Sequence, residues 1–182
     1  MCIRDRGGIA AVLEPGDTFE HHVEDTMVAG AGLNDRAIVE FVVERAPAAI
    51  ERLRALGVPF AEEGGALHLT REGGHSRRRI VHVADATGWA VQEALQRAAA
   101  AHPNITMLPD QVAIDLATSR HEQRYSGAGH VWGVYAIDRQ SGAVGLHTAR
   151  ATILATGGAG RTYLFSTAPR GATGDGLSLI HI

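Results

Sequence analysis

The chain contains no lysine: all 17 of its basic residues are arginine. Without a lysine amine nothing can form a Schiff base or serve a Walker-type phosphate loop, so pyridoxal enzymes and P-loop NTPases are excluded. Cysteine is nearly as scarce. The single thiol, Cys2, can close no internal disulfide and offers no zinc-ligand spacing, which points to a reducing compartment. Aromatic residues make up 5% of the 182 positions, too few for a base-stacking platform, and no basic run exceeds Arg77-Arg78-Arg79. With a formal net charge of -3 the chain lacks the electrostatic footprint of a nucleic-acid binder, and nucleic acid is not expected as a partner. No apolar stretch approaches the roughly 20 residues that span a bilayer, and the start lacks the basic-then-apolar layout of a signal peptide. The expected location is cytoplasmic, with no membrane partner.

What is present is ordinary for a globular chain, 45% hydrophobic and 20% charged residues, with one compact domain as the expectation. The two ends differ from the rest. Residues 1–6 (MCIRDR) and 177–182 (LSLIHI) share neither the Ala/Gly/Arg-rich character nor the periodicity of what lies between them. They read as translated adapter sequence, a non-native leader and tail around a native segment, 7–176, of a longer protein.

Asp17-Thr18-Phe19-Glu20 has the spacing of an N-cap followed by a capping-box acid, predicting a helix with Phe19, Val23, Met27 and Ala31 on its apolar side and an exit at Gly30 and Gly32. Asn34 is expected to cap a second helix carrying Ile38, Phe41, Val42 and Arg45, and Pro47 to open a third that runs to Leu56. All three read as amphipathic covers over a core. A short strand is expected over 66–70 and an apolar-alternating stretch over 80–83. Thr87 should cap a helix with Val91, Ala94, Leu95 and Ala98 on one face, ending at Pro103. Beyond it, strands are expected over 105–108, 112–117, 131–137 and 146–154, with turns at 126–129 and 141–142. Successive strands joined by short Gly turns make an antiparallel meander.

Two stretches could carry chemistry. A hydrophobic strand is expected to stop at Ala155-Thr156-Gly157-Gly158, where small residues let backbone approach a ligand closely; in an open α/β sheet this end of a strand is where a dinucleotide sits. A Gly pair at a strand end can equally be a plain turn, but a meander feeding such a strand resembles the layout of two-domain FAD flavoproteins. The second stretch, Arg71-Glu72-Gly73-Gly74-His75-Ser76, puts a carboxylate, an imidazole and a hydroxyl on a loop whose glycines expose backbone N–H groups, suited to an anion or a flavin edge, or simply solvated. His68, His75 and His82 recur every seven residues, yet the glycines between them forbid the helix that would align them, so no metal site is expected. His21-His22 reads as surface, or as a capped core histidine.

These residues resemble the L-aspartate oxidases, relatives of the succinate dehydrogenase and fumarate reductase flavoprotein subunits. The resemblance rests on Gly7-Gly8-Ile9-Ala10-Ala11-Val12, His22-Val23-Glu24-Asp25-Thr26 with Ala29-Gly30-Ala31-Gly32, His68-Leu69-Thr70 leading into 71–76, Arg79-Ile80-Val81-His82 with Asp85-Ala86-Thr87-Gly88, 154–158, and Thr173-Gly174-Asp175-Gly176, in that order. Glu72 discriminates, since the dehydrogenase and reductase subunits have a different residue there. The resemblance implies an α/β fold: a partial FAD-binding, Rossmann-like domain with helical cover and an antiparallel β-meander. It implies FAD held by Gly7 and Gly8 near the isoalloxazine, by backbone around Ala113 at the adenine end, by Ala155, Thr156 and Gly157, and by Asp175. It implies L-aspartate as substrate with Glu72 orienting its ammonium group, oxygen or fumarate as acceptor, and quinolinate synthase as a partner in the route to NAD. The Gly-x-Gly-x-x-Gly phosphate loop of the first βαβ unit, the capping domain and the carboxylate-binding Arg and His residues of that family have no counterpart in 7–176. An inactive fragment is therefore expected. The alternatives are a fragment of a fumarate reductase or succinate dehydrogenase flavoprotein, or a non-catalytic interaction module.

Overall fold

The computed structural model of the chain describes residues 7–119, 129–166 and 168–181; its backbone gathers into two compact units, divided in sequence between Ile105 and Thr106. The first unit opens with β1 (Ile9–Ala10). Thr18, not Asp17, then caps α1 (Phe19–Ala29), its hydroxyl accepting from the His21 N–H at 3.2 Å. Asp17 is unavailable because its carboxylate is taken by Arg79, so the next oxygen-bearing side chain assumes the cap. Gly30 ends α1 as expected, and Asn34 closes the same end, donating from Nδ2 to the Thr26 carbonyl at 2.9 Å. The second cap consequently falls to Asp35, which accepts from the Ile38 N–H at 3.1 Å at the start of α2 (Arg36–Ala55).

Helix α2 runs uninterrupted through Pro47, so the expected third helix is its second half. A proline inside a helix forfeits one backbone hydrogen bond, at about 3 kcal/mol in an unsupported helix. Burial of Val43 and Ile50 on either side offsets the loss. The buried stripe of α2 is Val39, Val43, Ala46, Ile50 and Leu53, spaced by fours and threes. It is not the face expected from Ile38, Phe41 and Val42, which stay 62%, 53% and 57% exposed, with the Arg45 guanidinium 3.6 Å above the Phe41 ring.

A hairpin follows, β2 (Glu62–Glu63) and β3 (Ala66–Leu67), turned by Gly64 and Gly65, both with positive φ as a two-residue turn of this hand requires. β4 (Ile80–Val81) pairs antiparallel with β1, and Thr70 bridges to Ile80. The strand expected over 66–70 is thus β3 plus a single bridge. In α3 (Thr87–Ala101) Thr87 is the first helical residue and leaves the end without a side-chain cap, because its hydroxyl is turned back to accept from the Val83 N–H at 2.9 Å. The core of this unit joins Ala11, Ile50, Val58, Phe60, Leu69, Val81, Ala90 and Ala94.

The second unit is a meander of β5 (Gln111–Thr118), β6 (Val131–Asp138) and β7 (Val144–Thr148), in that order and antiparallel throughout. The turn expected at 126–129 lies outside the described residues except for Gly129. The one at 141–142 forms, with Gly142 at φ +71° donating to the Asp138 carbonyl at 2.8 Å. Residues 105–108 form no strand; Ile105, Met107 and Leu108 are apolar, but no described strand pairs with them. The strand expected over 146–154 ends at Thr148 for the same reason, and Ile153 beyond it is 88% exposed. Tyr163, Leu164 and Phe165 follow, 74%, 90% and 90% exposed, and then α4 (Asp175–His181), which lies against β5. The mixed α/β character and the meander are as expected; among the described residues every strand pair is antiparallel.

Candidate functional site

The 71–76 loop is an excursion from the Thr70–Ile80 bridge, closed at its base by backbone bonds of 3.0–3.2 Å between Thr70 and Arg79–Ile80. Its tip is a β-turn in which the His75 N–H donates to the Glu72 carbonyl at 3.2 Å, and Gly74 takes φ +85°, the third-position requirement of a type II turn. Glu72 reaches back onto Gly7: a Cβ added there would lie 2.5 Å from Glu72 Oε1. The carboxylate makes no hydrogen bond or ion pair to another described residue. At Gly8 an added Cβ would overlap the Ile80 side chain and lie 2.6 Å from the Val81 carbonyl oxygen, so β1 can approach β4 only without a side chain there. Beside Gly8 a cavity of about 410 Å³ opens, lined also by Thr87 and Gly88 at the uncapped start of α3.

Below the loop stands Arg79, fully buried. Its Nε and Nη2 donate to the two oxygens of Asp17 at 2.7 and 2.9 Å, and its Nη1 donates to Asp25 Oδ2 at 2.6 Å. The same Asp25 oxygen accepts from the Ser76 N–H and hydroxyl, both at 2.7 Å. Burial pushes the Asp25 carboxyl up, but the two Ser76 bonds and Arg79 outweigh it and bring it from 3.8 down to about 2. Asp17 is likewise lowered, against its burial, by Arg79 and the Thr18 N–H. His22, on α1, is buried with its Nδ1 unpartnered among the described residues and its ring 5.8 Å from that of His75. Burial first, then Arg79 and His75 beside it, lower its pKa.

In the second unit, Ala155, Thr156 and Gly157 form irregular backbone whose N–H groups, with that of Gly158, bond to no described residue. At Gly157 (φ +74°) and Gly158 a Cβ would point into open space. Thr156 lies on Gly176, where any Cβ would overlap its hydroxyl, so the 155–158 backbone and the start of α4 are packed together. Asp175 is exposed at that start and accepts from the Thr173 hydroxyl at 2.7 Å. Ala113 is on β5, beside a register shift between Ala113 and Asp115. Glu72 and Gly7 are thus neighbours within the first unit, with Gly8 next in sequence, and Thr156, Gly157 and Asp175 within the second.

The evenly spaced histidines separate: His68 Nδ1 and His82 Nε2 are 3.1 Å apart, whereas His75 Nδ1 stands 3.4 Å from Arg79 Nη1. Among the described residues no three His, Cys, Asp or Glu side chains are grouped as a metal site, and no helix is long and apolar enough to cross a membrane. Residue-by-residue reading missed Asp17, Asp25 and Arg79. Their only signal was that Asp25 and Arg79 fall inside the stretches that carry the family resemblance, without a role attached.

Against known proteins, the chain is 50% identical over 177 residues to L-aspartate oxidase 1 of Ralstonia nicotianae, covering 96% of this chain and 33% of that protein. It is 47% identical to the L-aspartate oxidase of Pseudomonas aeruginosa, covering 96% and 34%. Among solved structures, a mutant of the E. coli quinol fumarate reductase superposes with a TM-score of 0.88 at 29% identity, covering 98% of this chain and 29% of that one. The chain spans about a third of the length of the curated relatives it matches, and the resemblance to L-aspartate oxidases extends over nearly all of it. The FAD binding domain family matches residues 6–181, and it is to this family, whose cofactor is FAD, that the chain belongs.

Proposed function

We propose that the chain is part of an FAD-dependent L-aspartate oxidase, with residues 7–176 as a partial FAD-binding domain and Glu72 as its substrate-selecting acid. The observation that carries this reading is the Glu72 carboxylate, unpaired among the described residues and resting on Gly7 backbone in a chain half identical to such oxidases. The residues present fit the cofactor. Bare N–H groups at 155–158 and the empty space over Gly157 and Gly158 suit close approach of a dinucleotide, and Asp175 can accept from its hydroxyl or ring N–H groups. Gly7 and Gly8 would flank the isoalloxazine, and backbone near Ala113 the adenine. The chemistry that FAD supplies when bound is two-electron oxidation of L-aspartate at Cα to iminoaspartate, with oxygen or fumarate as final acceptor. Glu72 attracts the α-ammonium group by a charge-assisted hydrogen bond and so favours aspartate over succinate. Iminoaspartate is the first intermediate toward quinolinate and NAD, which makes quinolinate synthase the natural partner, in the cytoplasm.

The alternative, a fumarate reductase or succinate dehydrogenase flavoprotein, draws on the fold match, but its dicarboxylates carry no ammonium group for Glu72 to hold. Glu72→Gln in the full-length protein separates the two. Losing one charge-assisted contact should reduce kcat/KM for L-aspartate about ten- to a hundredfold, equivalent to about 1.5–3 kcal/mol, with fumarate reduction nearly unchanged. Equal losses on both substrates would mean that Glu72 supports the loop and recognises nothing.

A further inference from the structure

An acid on an exposed, glycine-containing turn discriminates between ligands only if something holds it still. The 71–76 loop is fastened at its base by the Thr70 and Ile80 backbones and by Arg78 Nε, which donates to the Leu69 carbonyl at 3.0 Å, and its tip has His75 Nδ1 3.4 Å from Arg79 Nη1; Ser76 is the residue of the loop that donates from both backbone and side chain to α1. We propose that Asp25 is the positioning residue for Glu72: through Ser76 it clamps the loop to α1 and thereby sets the Glu72 carboxylate against Gly7. This rests on reading Glu72 as the ammonium-binding acid.

The clamp follows from how the charges are distributed. Arg79 is already matched by Asp17, which takes two of its donors in a fork, and both groups are nearly free of solvent. A second carboxylate is not needed to neutralise one guanidinium. Asp25 nevertheless directs a single oxygen at three donors, and two of these come from the loop. Arg79 supplies the third and, being buried and doubly anchored by Asp17, cannot swing away, so Asp25 is itself held in place. The chain of contacts runs Asp17, Arg79, Asp25, Ser76 and then, over three residues of turn, Glu72.

The test uses the full-length, FAD-loaded protein and two readouts. In Asp25→Ala, amide hydrogen exchange across 72–76 should accelerate about tenfold or more. kcat/KM for L-aspartate should fall about tenfold, mainly through KM, while fumarate reduction stays within about twofold. In the Glu72→Gln background the same substitution should cost less than about twofold, since a positioning residue has nothing left to position. Should Asp25→Ala not fold, Ser76→Ala replaces an exposed side chain and should give a loss of about threefold in the same direction, restored by Ser76→Thr. Unchanged loop exchange overturns the clamp. Losses on aspartate and fumarate alike, or losses that multiply with Glu72→Gln, make Asp25 a support of the fold and overturn its positioning role. If Glu72→Gln itself leaves aspartate turnover intact, the functional reading fails and the positioning role with it, whatever the exchange rates report.

Discussion

At Asp25, Asp17 and His22 the folded chain binds protons less readily than the unfolded chain, and this sets its response to acid. The Asp25 carboxyl sits at about 2 against an ordinary 3.8, so in that interval the unfolded state takes up the proton first. Its stabilisation is complete well above pH 3.8 and is lost as pH falls through about 2, an amount on the order of 2 kcal/mol. His22, lowered by burial, adds an earlier and separate decline that begins below its ordinary 6.5. Urea midpoints measured from pH 8 to pH 2 should therefore fall in two stages, with the lower stage reduced in Asp25→Asn. A profile unchanged by that substitution would remove Asp25 from the acid response. Little of this was legible in the sequence. Asp17 and Thr18 are both good cap residues, and what decides between them is Arg79, 62 positions away; Asn34 and Asp35 pose the same choice, settled by the Thr26 carbonyl. The 71–76 loop could be singled out because a carboxylate on a Gly-Gly turn is a local pattern, and it was the family resemblance that attached a role to Glu72, whereas its clamp is not local at all.

The elements divide along the same line. The β6–β7 hairpin could be read ahead because antiparallel strands joined by a short turn are specified by nearby residues: alternation within the strands and a glycine at 142. The 105–108 and 149–154 segments looked equally apolar, but a strand is defined by its neighbour, and apolar composition does not supply one. Pro47 misled in the opposite direction, since a proline suited to opening a helix was carried inside one by burial of Val43 and Ile50. Pro47→Ala should restore a backbone donor within α2 and raise stability by about 1–3 kcal/mol in chemical denaturation. A destabilised variant would show that α2 needs the proline's local geometry more than the lost hydrogen bond.

For the molecule as a whole, the cofactor elements described are backbone cradles and a single acid, and nowhere in the 182 residues does Gly-x-Gly-x-x-Gly occur. That loop normally supplies the donors and helix terminus that hold a pyrophosphate. The 182-residue chain by itself should therefore purify colourless and bind added FAD weakly or not at all; a stoichiometric yellow preparation with a flavin absorbance spectrum would refute this. The exposed Ile153, Tyr163, Leu164 and Phe165 have a further consequence, which is colloidal. With a net charge of only -3 to keep copies apart, four large apolar side chains in solvent make the lone chain attractive to itself. Added salt, by screening what repulsion there is, shortens the distance to precipitation.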